Sequence, residues 1–360
     1  MVAWKPAHSN NITPLRGLAA TAVVCHHLGV YAGVDIPYIG RAGGLLGVQL
    51  FFLLSGYLII RSALRHDFSA YAIHRVARIL PAYWVAMLVV SVAIYRRSPI
   101  SVGEDWPSAV LIILALVHFS PHALFHYDVL TVSWTLTIEW CWYLAAIVLA
   151  RLAPAADAKW WLLMTAAAVA LSSIWVLLAQ RGAIDFLWAD AFQRVSDSRG
   201  LPFLRFAFIT NAAPAQLGFF MLGCMISRFE RTLVRAPAML SALAFAIFVP
   251  FYAGWNHLLG LNPSIASGLG LAGLFVLALK APPVGQRMLH VLGEISYPVY
   301  LIHVPLLLVV FQRWQVKGWT GLIIYFALLL VSAWVLHRFV ERPGITYGRR
   351  VCSALITRRA

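Results

Sequence analysis

The sequence predicts an all-α fold, a polytopic integral membrane helical bundle of about ten transmembrane helices plus one short re-entrant or interfacial segment. Hydrophobic residues make up 61% of the 360 positions and charged residues only 11%, and the mean hydropathy is +0.80. A soluble globular domain does not have this composition. The apolar runs are continuous and about as long as a spanning helix, whereas a transmembrane β-barrel would show short segments of alternating polarity.

Eleven apolar stretches follow one another along the chain, and ten of them are long enough to cross a bilayer. The ten long stretches cover residues 13–33, 43–61, 76–95, 132–150, 160–179, 203–227, 236–253, 263–280, 288–311 and 319–338. The eleventh, residues 108–119, holds only about a dozen residues, which is nearer to a re-entrant or interfacial segment than to a span. The first stretch lacks a small-residue cleavage site, so we expect it to remain as the first span.

Basic residues lie at the ends of the apolar stretches and predict the orientation. They cluster at residues 61–78, 151–159, 228–235, 280–287 and 338–359. All five clusters face the cytoplasm only if the short stretch does not cross, and both termini then lie inside. We therefore expect a multi-pass protein of the plasma (inner) membrane, with a transmembrane domain over residues 1–345 and a basic cytoplasmic tail over residues 346–360. The net charge of +15 reflects this bias, so membrane lipid and not nucleic acid is the expected partner.

No metal centre and no disulfide are predicted. The four cysteines, Cys25, Cys141, Cys224 and Cys352, occur singly, without the spacing of a disulfide framework or a zinc site. The three histidines of the segment HFSPHALFH have spacings that could bind a metal, but no HExxH acid accompanies them. We interpret them as residues of the outer interface or of an acceptor site.

Two ionisable residues, Arg16 and His27, interrupt the first apolar stretch. They are eleven positions apart, so on a helix they differ by about 20° in direction and by about 16 Å in height. They therefore share one face, with the arginine near one membrane surface and the histidine well inside. His26 points about 100° away from its neighbour. Ionisable residues at membrane depth predict a functional site.

Arg75 and Arg78 lie three apart at the entrance of the third stretch, hence on one helical face. Two guanidinium groups in this arrangement suit a phosphate or pyrophosphate. The alternative is that they only anchor the helix on the cytoplasmic side. Arg16 enters the membrane from the same side, which strengthens the interpretation as an anion site.

Glu139 is the only carboxylate well inside a full stretch. Its burial without a partner would cost several kcal/mol, so we expect it to pair with a histidine or an arginine. Tyr143 follows at i+4 on the same face. The alternative is a purely structural hydrogen bond between helices. In the second stretch, Ser55 and Gly56 are more typical of close helix contact than of a nucleophile, since no GxSxG elbow surrounds the serine.

The tenth span carries a polar stripe, because Ser296, Tyr300 and His303 fall at i, i+4 and i+7 of the segment GEISYPVYLIHVPL. Such a stripe faces the bundle or a wet cavity and not lipid. Pro298 and Pro305 imply kinks, which are common where helices line a cavity. A single histidine at this place is more typical of helix packing, but a second intramembrane histidine and a carboxylate in the same chain favour a cavity.

In combination, these segments resemble the acyltransferase type 3 family of integral membrane O-acyltransferases. The resemblance runs from about residue 11 to Pro343. It rests on Arg16 and His27 with ten residues between them, FFLLSGYLI with Ser55 and Gly56, Arg75-x-x-Arg78 ahead of ILPAYW, SWTLTIEWCWY with Glu139, and ISYPVYLIH with Ser296, Tyr300 and His303. One departure is Trp142, where the family usually has Phe.

The resemblance implies transfer of an acyl group, commonly acetyl, from cytoplasmic acyl-CoA to a hydroxyl of a glycan, a lipid-linked saccharide or another extracytoplasmic acceptor. His27, oriented by Glu139 or another acceptor, would act as general base or accept the acyl group itself. The acyl-CoA co-substrate would be bound by Arg16, Arg75 and Arg78. The substrate cavity would be lined by Ser55, Tyr143, Ser296, Tyr300 and His303.

Two other classes of function are weighed against this one. A transporter of a lipid-linked sugar or an organic anion would use Glu139 and the histidines as a proton relay. The sequence shows no paired broken helices in two matching halves, which counts against a transporter. A nonenzymatic membrane scaffold would not explain why arginines, histidines and a glutamate lie on related faces.

Overall fold

A computed structural model describes residues 11–34, 36–37, 39–96, 105–153, 157–193, 195, 201–254, 263–282 and 287–357. All regular secondary structure in these ranges is helical, so the predicted all-α class is confirmed. The α-helices are α1 Ile12–Ala32, α2 Ile39–Arg65, α3 Phe68–Val89, α4 Trp106–Ile113, α5 Trp134–Leu152, α6 Ala158–Gln180, α7 Ala189–Phe192, α8 Leu201–Thr210, α9 Ala213–Arg235, α10 Ala238–Gly254, α11 Pro263–Lys280, α12 Arg287–Glu294, α13 Ser296–Leu307, α14 Gly318–Leu336 and α15 Arg342–Thr357. Turns of π-helix extend α3, α13 and α14.

Six helices in the described ranges are long and apolar enough to cross a membrane, or seven if the bent pair α12 and α13 forms one span. The predicted count of about ten spans is therefore not confirmed. In α10 and α11 the apolar parts are shorter, Ala238–Ile247 and Ile265–Lys280. The 21-residue helix α1 is not among the six, because Arg16 and two histidines lower its hydropathy.

The short stretch at residues 108–119 forms only the eight-residue helix α4 and a following 3-10 turn, Val117–Phe119. Eight residues rise about 12 Å, well under the hydrocarbon thickness of about 30 Å. Side chains of α3 satisfy its last carbonyl groups, since Tyr83 Oη donates to Ile112 O at 2.9 Å and Trp84 Nε1 to Ile113 O at 2.7 Å. The segment is therefore held against α3 and is not one of the candidate spans.

Helix α2 is the central element for the site, and a glycine contact fixes it against α9. A Cβ atom on Gly56 would meet the backbone of Phe220, and one on Gly223 would meet the backbone of Leu53. The glycine of the Ser55–Gly56 pair thus allows the close helix contact expected from the sequence. The neighbouring serine points elsewhere, as described below.

A second glycine contact sets α1 against the α12–α13 pair. A Cβ atom on Gly17 would lie 2.8 Å from Leu289 O and 2.9 Å from Gly293 N. The pair bends by 74° just after this contact. As a result α13 continues along α1, which brings their two histidines together.

Helix α14 continues through the π-helical turn His337–Glu341 into α15. The boundary expected between residues 345 and 346 lies inside α15, and residues 358–360 lie outside the described residues. A Cβ atom on Gly344 would lie 3.0 Å from Ala77 O, so α15 packs against α3, the helix that carries Arg75 and Arg78.

Candidate functional site

One cavity, with an empty volume of about 810 Å³, is lined by residues of α1, α2, α3, α5 and α13. We call it the arginine cavity, because Arg16 of α1 and Arg75 and Arg78 of α3 line it. Glu139 of α5 is the one carboxylate among its described lining residues. Three positive charges against one negative charge favour an anionic ligand.

Arg75 is held in place but keeps a donor group free. Its Nη2 atom donates to Ser62 Oγ at 2.9 Å, and its guanidinium carbon lies 5.6 Å from the ring centroids of Tyr71 and Tyr143. The Nε atom is buried and has no hydrogen-bond partner among the residues the structure describes. A buried donor without a partner is costly, so a ligand acceptor at this point would stabilise the cavity.

Glu139 is bound by two hydroxyl groups. Ser55 Oγ donates to Glu139 Oε1 at 2.7 Å, and Tyr143 Oη donates to Glu139 Oε2 at 3.1 Å. The carboxylate also interacts electrostatically with Arg16. It lines the arginine cavity and not the cavity that contains His27. The sequence predicts that Glu139 or another acceptor orients His27. The structure does not pair Glu139 with His27, because the two carboxylate oxygens accept from Ser55 and Tyr143 instead.

A second cavity, with an empty volume of about 750 Å³, lies toward the other end of α2. We call it the histidine cavity. Its lining residues are Val23, His26, His27, Gly44, Leu45, Val48, Thr131, Val132, Trp134, Asn211 and Tyr300. Both histidines line it, so direction alone does not separate His26 from its neighbour. Residues of α2 before position 48 line this cavity, whereas residues after it line the arginine cavity.

The hydrogen bonds of His27 and His303 assign their protons. His303 Nδ1 lies 2.7 Å from Tyr300 O, and His27 Nδ1 lies 3.0 Å from Val23 O. A carbonyl oxygen only accepts, so both Nδ1 atoms carry hydrogen. His303 Nε2 is then an acceptor, and it lies 3.0 Å from His27 Nδ1. In its neutral form His27 therefore keeps a lone pair on Nε2.

His26 is held differently from its neighbour. Its Nδ1 atom donates to Gly40 O at 2.9 Å, and its ring meets the ring of His27 edge-on at 5.1 Å. A Cβ atom on Gly44 would collide with the His26 ring. His26 thus packs against the start of α2. Among the described residues, the one histidine that contacts it is His27, through the edge-on ring contact.

Val48 and Tyr300 line both cavities and form the wall between them. Tyr300 Oη donates to Val132 O at 3.2 Å and accepts from Thr135 Oγ1 at 3.0 Å. These bonds fix the tyrosine ring to the start of α5. The two cavities are therefore stacked along α2 with one aliphatic and one aromatic side chain between them.

Two residues of the predicted polar stripe line neither cavity. Ser296 is buried, and its hydroxyl donates to Gly293 O at 2.8 Å, because it stands at the bend where α12 ends and α13 begins. His303 is fully buried behind His27. Both are corrections to the expected cavity lining, whereas Tyr300 does line the cavities.

Several lining residues were not identified from the sequence. Tyr297 lines the arginine cavity, and its hydroxyl donates to Ile79 O at 2.9 Å. Its position within the segment ISYPVYLIH could have identified it as a candidate lining residue. Thr131, Trp134 and Asn211 line the histidine cavity. Two of these three precede helices in connecting segments, where no periodic pattern marks them.

Comparisons with known proteins give one consistent assignment. A family model described as an acyltransferase domain matches residues 10–338. The acyltransferase MdmB of Streptomyces mycarofaciens is 26% identical over 94% of this chain and 92% of its own length. The putative membrane-bound transacylase BcsY of Komagataeibacter xylinus is 27% identical, with 97% and 86% covered.

The peptidoglycan O-acetyltransferase OatA of Listeria monocytogenes is 23% identical over 92% of this chain. The chain spans about half of that relative's length, 55%. No solved structure matches the chain.

Proposed function

The chain belongs to the acyltransferase type 3 family, and from this membership we propose that it transfers an acetyl group from cytoplasmic acetyl-CoA to a hydroxyl of an extracytoplasmic glycan or lipid-linked saccharide. The protein is a multi-pass membrane acyltransferase that transfers groups other than aminoacyl groups. The observation that carries the finer proposal is the stacking of two cavities along α2, one lined by arginines and the other by histidines.

We assign the donor to the arginine cavity. Phosphate and pyrophosphate oxygens are good acceptors for the guanidinium groups of Arg16, Arg75 and Arg78. The buried Nε atom of Arg75, which has no partner among the described residues, supports this assignment. The acyl end of the donor would reach past Val48 and Tyr300 toward His27, since both side chains border the two cavities.

We assign the chemistry to His27. Its Nε2 lone pair takes the proton of the acceptor hydroxyl while the hydroxyl oxygen attacks the thioester carbonyl carbon. A C–O bond forms, the C–S bond breaks, and the proton passes from His27 to the leaving thiolate. His303 stabilises the imidazolium state through the 3.0 Å bond to Nδ1. In the alternative, covalent mechanism the same lone pair of His27 accepts the acyl group before the acceptor hydroxyl does. Mass spectrometry of acid-quenched protein distinguishes this covalent mechanism from direct transfer.

Glu139 takes a different role in this proposal from the one expected from the sequence. It holds Ser55 and Tyr143 by hydrogen bonds and balances part of the positive charge of the arginine cavity. It thereby positions the donor site and does not orient His27.

The proposed orientation follows from the basic clusters. The arginine cavity opens toward the cytoplasm, the histidine cavity opens toward the outside, and both termini are cytoplasmic in the plasma (inner) membrane. The transporter alternative loses support, because the curated relatives that match this chain over most of its length are acyltransferases or a transacylase.

The test compares a strain that lacks this protein with the same strain carrying it. Mass spectrometry of acetate released by mild alkali from surface glycans and lipids should show one class of acetyl ester that disappears in the deletion. Purified protein in nanodiscs should release free CoA from acetyl-CoA in the presence of that acceptor, and His27→Ala protein should not. An unchanged ester pattern together with no CoA release would overturn the proposal.

A further inference from the structure

The histidine cavity holds three polar side chains whose hydrogen-bonding groups are unused within the described part of the chain. They are the hydroxyl of Thr131, the indole N–H of Trp134 and the amide of Asn211, all of which line the cavity. In the described part of the chain Asn211 forms a hydrogen bond only through its backbone N–H, which donates to Ala207 O at 3.0 Å. Polar groups that converge on a cavity without internal partners are those that orient a ligand.

The segment that presents Thr131 and Trp134 is tied down by Asp128. The Asp128 carboxylate accepts from Leu130 N at 3.2 Å and from Ser133 Oγ at 2.7 Å. Thr131 itself has φ of 63°, in the left-handed region that a β-branched residue rarely adopts. The loop is therefore held in a conformation that the threonine does not favour by itself, with its side chain at the cavity.

The indole of Trp134 is fixed by two rings. Its centroid lies 6.3 Å from that of Phe52 in an edge-on arrangement and 6.0 Å from that of His118. Gln216 Nε2 donates to Thr210 O at 3.0 Å, which holds the turn that carries Asn211. The polar groups and the aromatic surface are thus preorganised before any ligand binds.

The charge of the lining restricts the chemistry of the ligand. The described lining residues of the histidine cavity include no Lys, Arg, Asp or Glu. An anionic acceptor would find no cation there, in contrast to the arginine cavity. A neutral molecule with several hydroxyl groups and an apolar ring face matches one amide, one hydroxyl, one indole N–H and an aromatic surface.

We propose that the histidine cavity is an acceptor subsite for an uncharged pyranose, with Trp134 contacting the ring and Asn211 and Thr131 binding its hydroxyl groups. The subsite rests on the proposed acyl transfer, because His27 lines the same cavity and receives the proton of the hydroxyl that is acylated. In this proposal Asn211 and Trp134 determine which acceptor is bound, and they do not take part in binding the acyl donor.

The experiment measures acceptor and donor separately. A strain that lacks the protein is complemented with wild-type, Asn211→Ala, Trp134→Leu and Trp134→Phe proteins, and alkali-released acetate is quantified by mass spectrometry with the acetylated molecule identified. Asn211→Ala and Trp134→Leu should lower acetylation at least about tenfold, as expected when hydrogen bonds or aromatic contacts to a substrate are lost. Trp134→Phe should lose less than Trp134→Leu, since it keeps an aromatic ring.

Acetyl-CoA affinity of the purified variants in nanodiscs is the matched control and should stay within about twofold of the wild-type value. Wild-type acetylation in both Asn211→Ala and Trp134→Leu would overturn the subsite, and so would an acetylated molecule that is anionic at the modified sugar or is not a saccharide. Loss of acetyl-CoA affinity in these variants would also count against it, because the residues would then act through the fold. Absence of any acetyl ester dependent on the wild-type protein would instead contradict the proposed function itself.

Discussion

His27 Nδ1 lies 3.0 Å from Nε2 of His303, a residue 276 positions further along the chain. The bond joins the C-terminal third of α1 to the middle of α13. It leaves the Nε2 atom of His27 as a proton acceptor and gives the imidazolium state a neutral partner. Basicity and direction of the proposed base are therefore set by a second histidine and not by a carboxylate.

Replacing His27 by Ala should abolish acetyl transfer while leaving acetyl-CoA binding intact. General bases contribute about 10²- to 10⁴-fold to rate, and of the two histidines that line the cavity it is His27 that has His303 as a hydrogen-bond partner. Single-turnover transfer from radiolabelled acetyl-CoA measures the loss. His26→Ala is the matched control and should keep substantial activity. The opposite ranking of the two variants would identify His26 as the base.

Replacing His303 by Gln should lower kcat by about tenfold or more without a comparable change in the KM for acetyl-CoA. The amide is neutral and can accept a hydrogen bond, but it cannot reproduce both ring nitrogens with their bonds to His27 and Tyr300 O. The pH dependence of kcat should shift as well, because the basicity of His27 depends on this partner. A variant with reduced rate but an unchanged pH profile would make His303 a packing residue.

Arg75→Ala and Arg78→Ala should each weaken acetyl-CoA binding by about tenfold or more, since charge-assisted hydrogen bonds contribute about 1.5–3 kcal/mol. Lysine at either position should restore only part of the affinity, because it lacks the planar fork. Isothermal titration in nanodiscs gives the values. Arg65→Ala, at the exposed end of α2, is the control and should bind normally. Equal affinity in all three Ala variants would reduce Arg75 and Arg78 to anchors of the topology.

Cysteines introduced at Trp106 and His126 should both react with an impermeant maleimide added outside intact cells, in a background without native cysteines. Both positions are exposed, and they flank α4, which is too short to cross. A cysteine at Arg65 should stay unlabelled until the cells are permeabilised. Labelling of only one of the two outer positions would show that the segment crosses after all.

Local spacing was sufficient to group the residues of the arginine cavity but not to predict the hydrogen bond between the two histidines. Arg75 and Arg78 were placed together by their i, i+3 spacing, and Glu139 with Tyr143 by i, i+4. The hydrogen bond between His27 and His303 depends on the close contact of Gly17 with α12 and on the 74° bend between α12 and α13. Helical periodicity in the sequence predicts neither feature.

Two lining residues of the histidine cavity, Thr131 and Asn211, were missed for a related reason. Thr131 and Asn211 lie in connecting segments, whose backbone conformation depends on tertiary contacts such as the hydrogen bonds of Asp128. The positive φ of Thr131 is also not expected for a β-branched residue. A sequence pattern with helical periodicity gives no signal for either position.

Val48 offers the sharpest test of the two stacked cavities, since it lines both and is only 6% exposed. A larger side chain there should close the route between the arginine cavity and the histidine cavity without touching the guanidinium groups. Val48→Phe should therefore keep acetyl-CoA affinity within about twofold of the wild-type value and lower acetyl transfer at least tenfold. Such overpacking costs about 1–3 kcal/mol, so monodispersity of the variant on size exclusion is checked first. Val48→Ala widens the same route and should retain transfer, whereas wild-type turnover in Val48→Phe would show that the acyl group does not pass this residue.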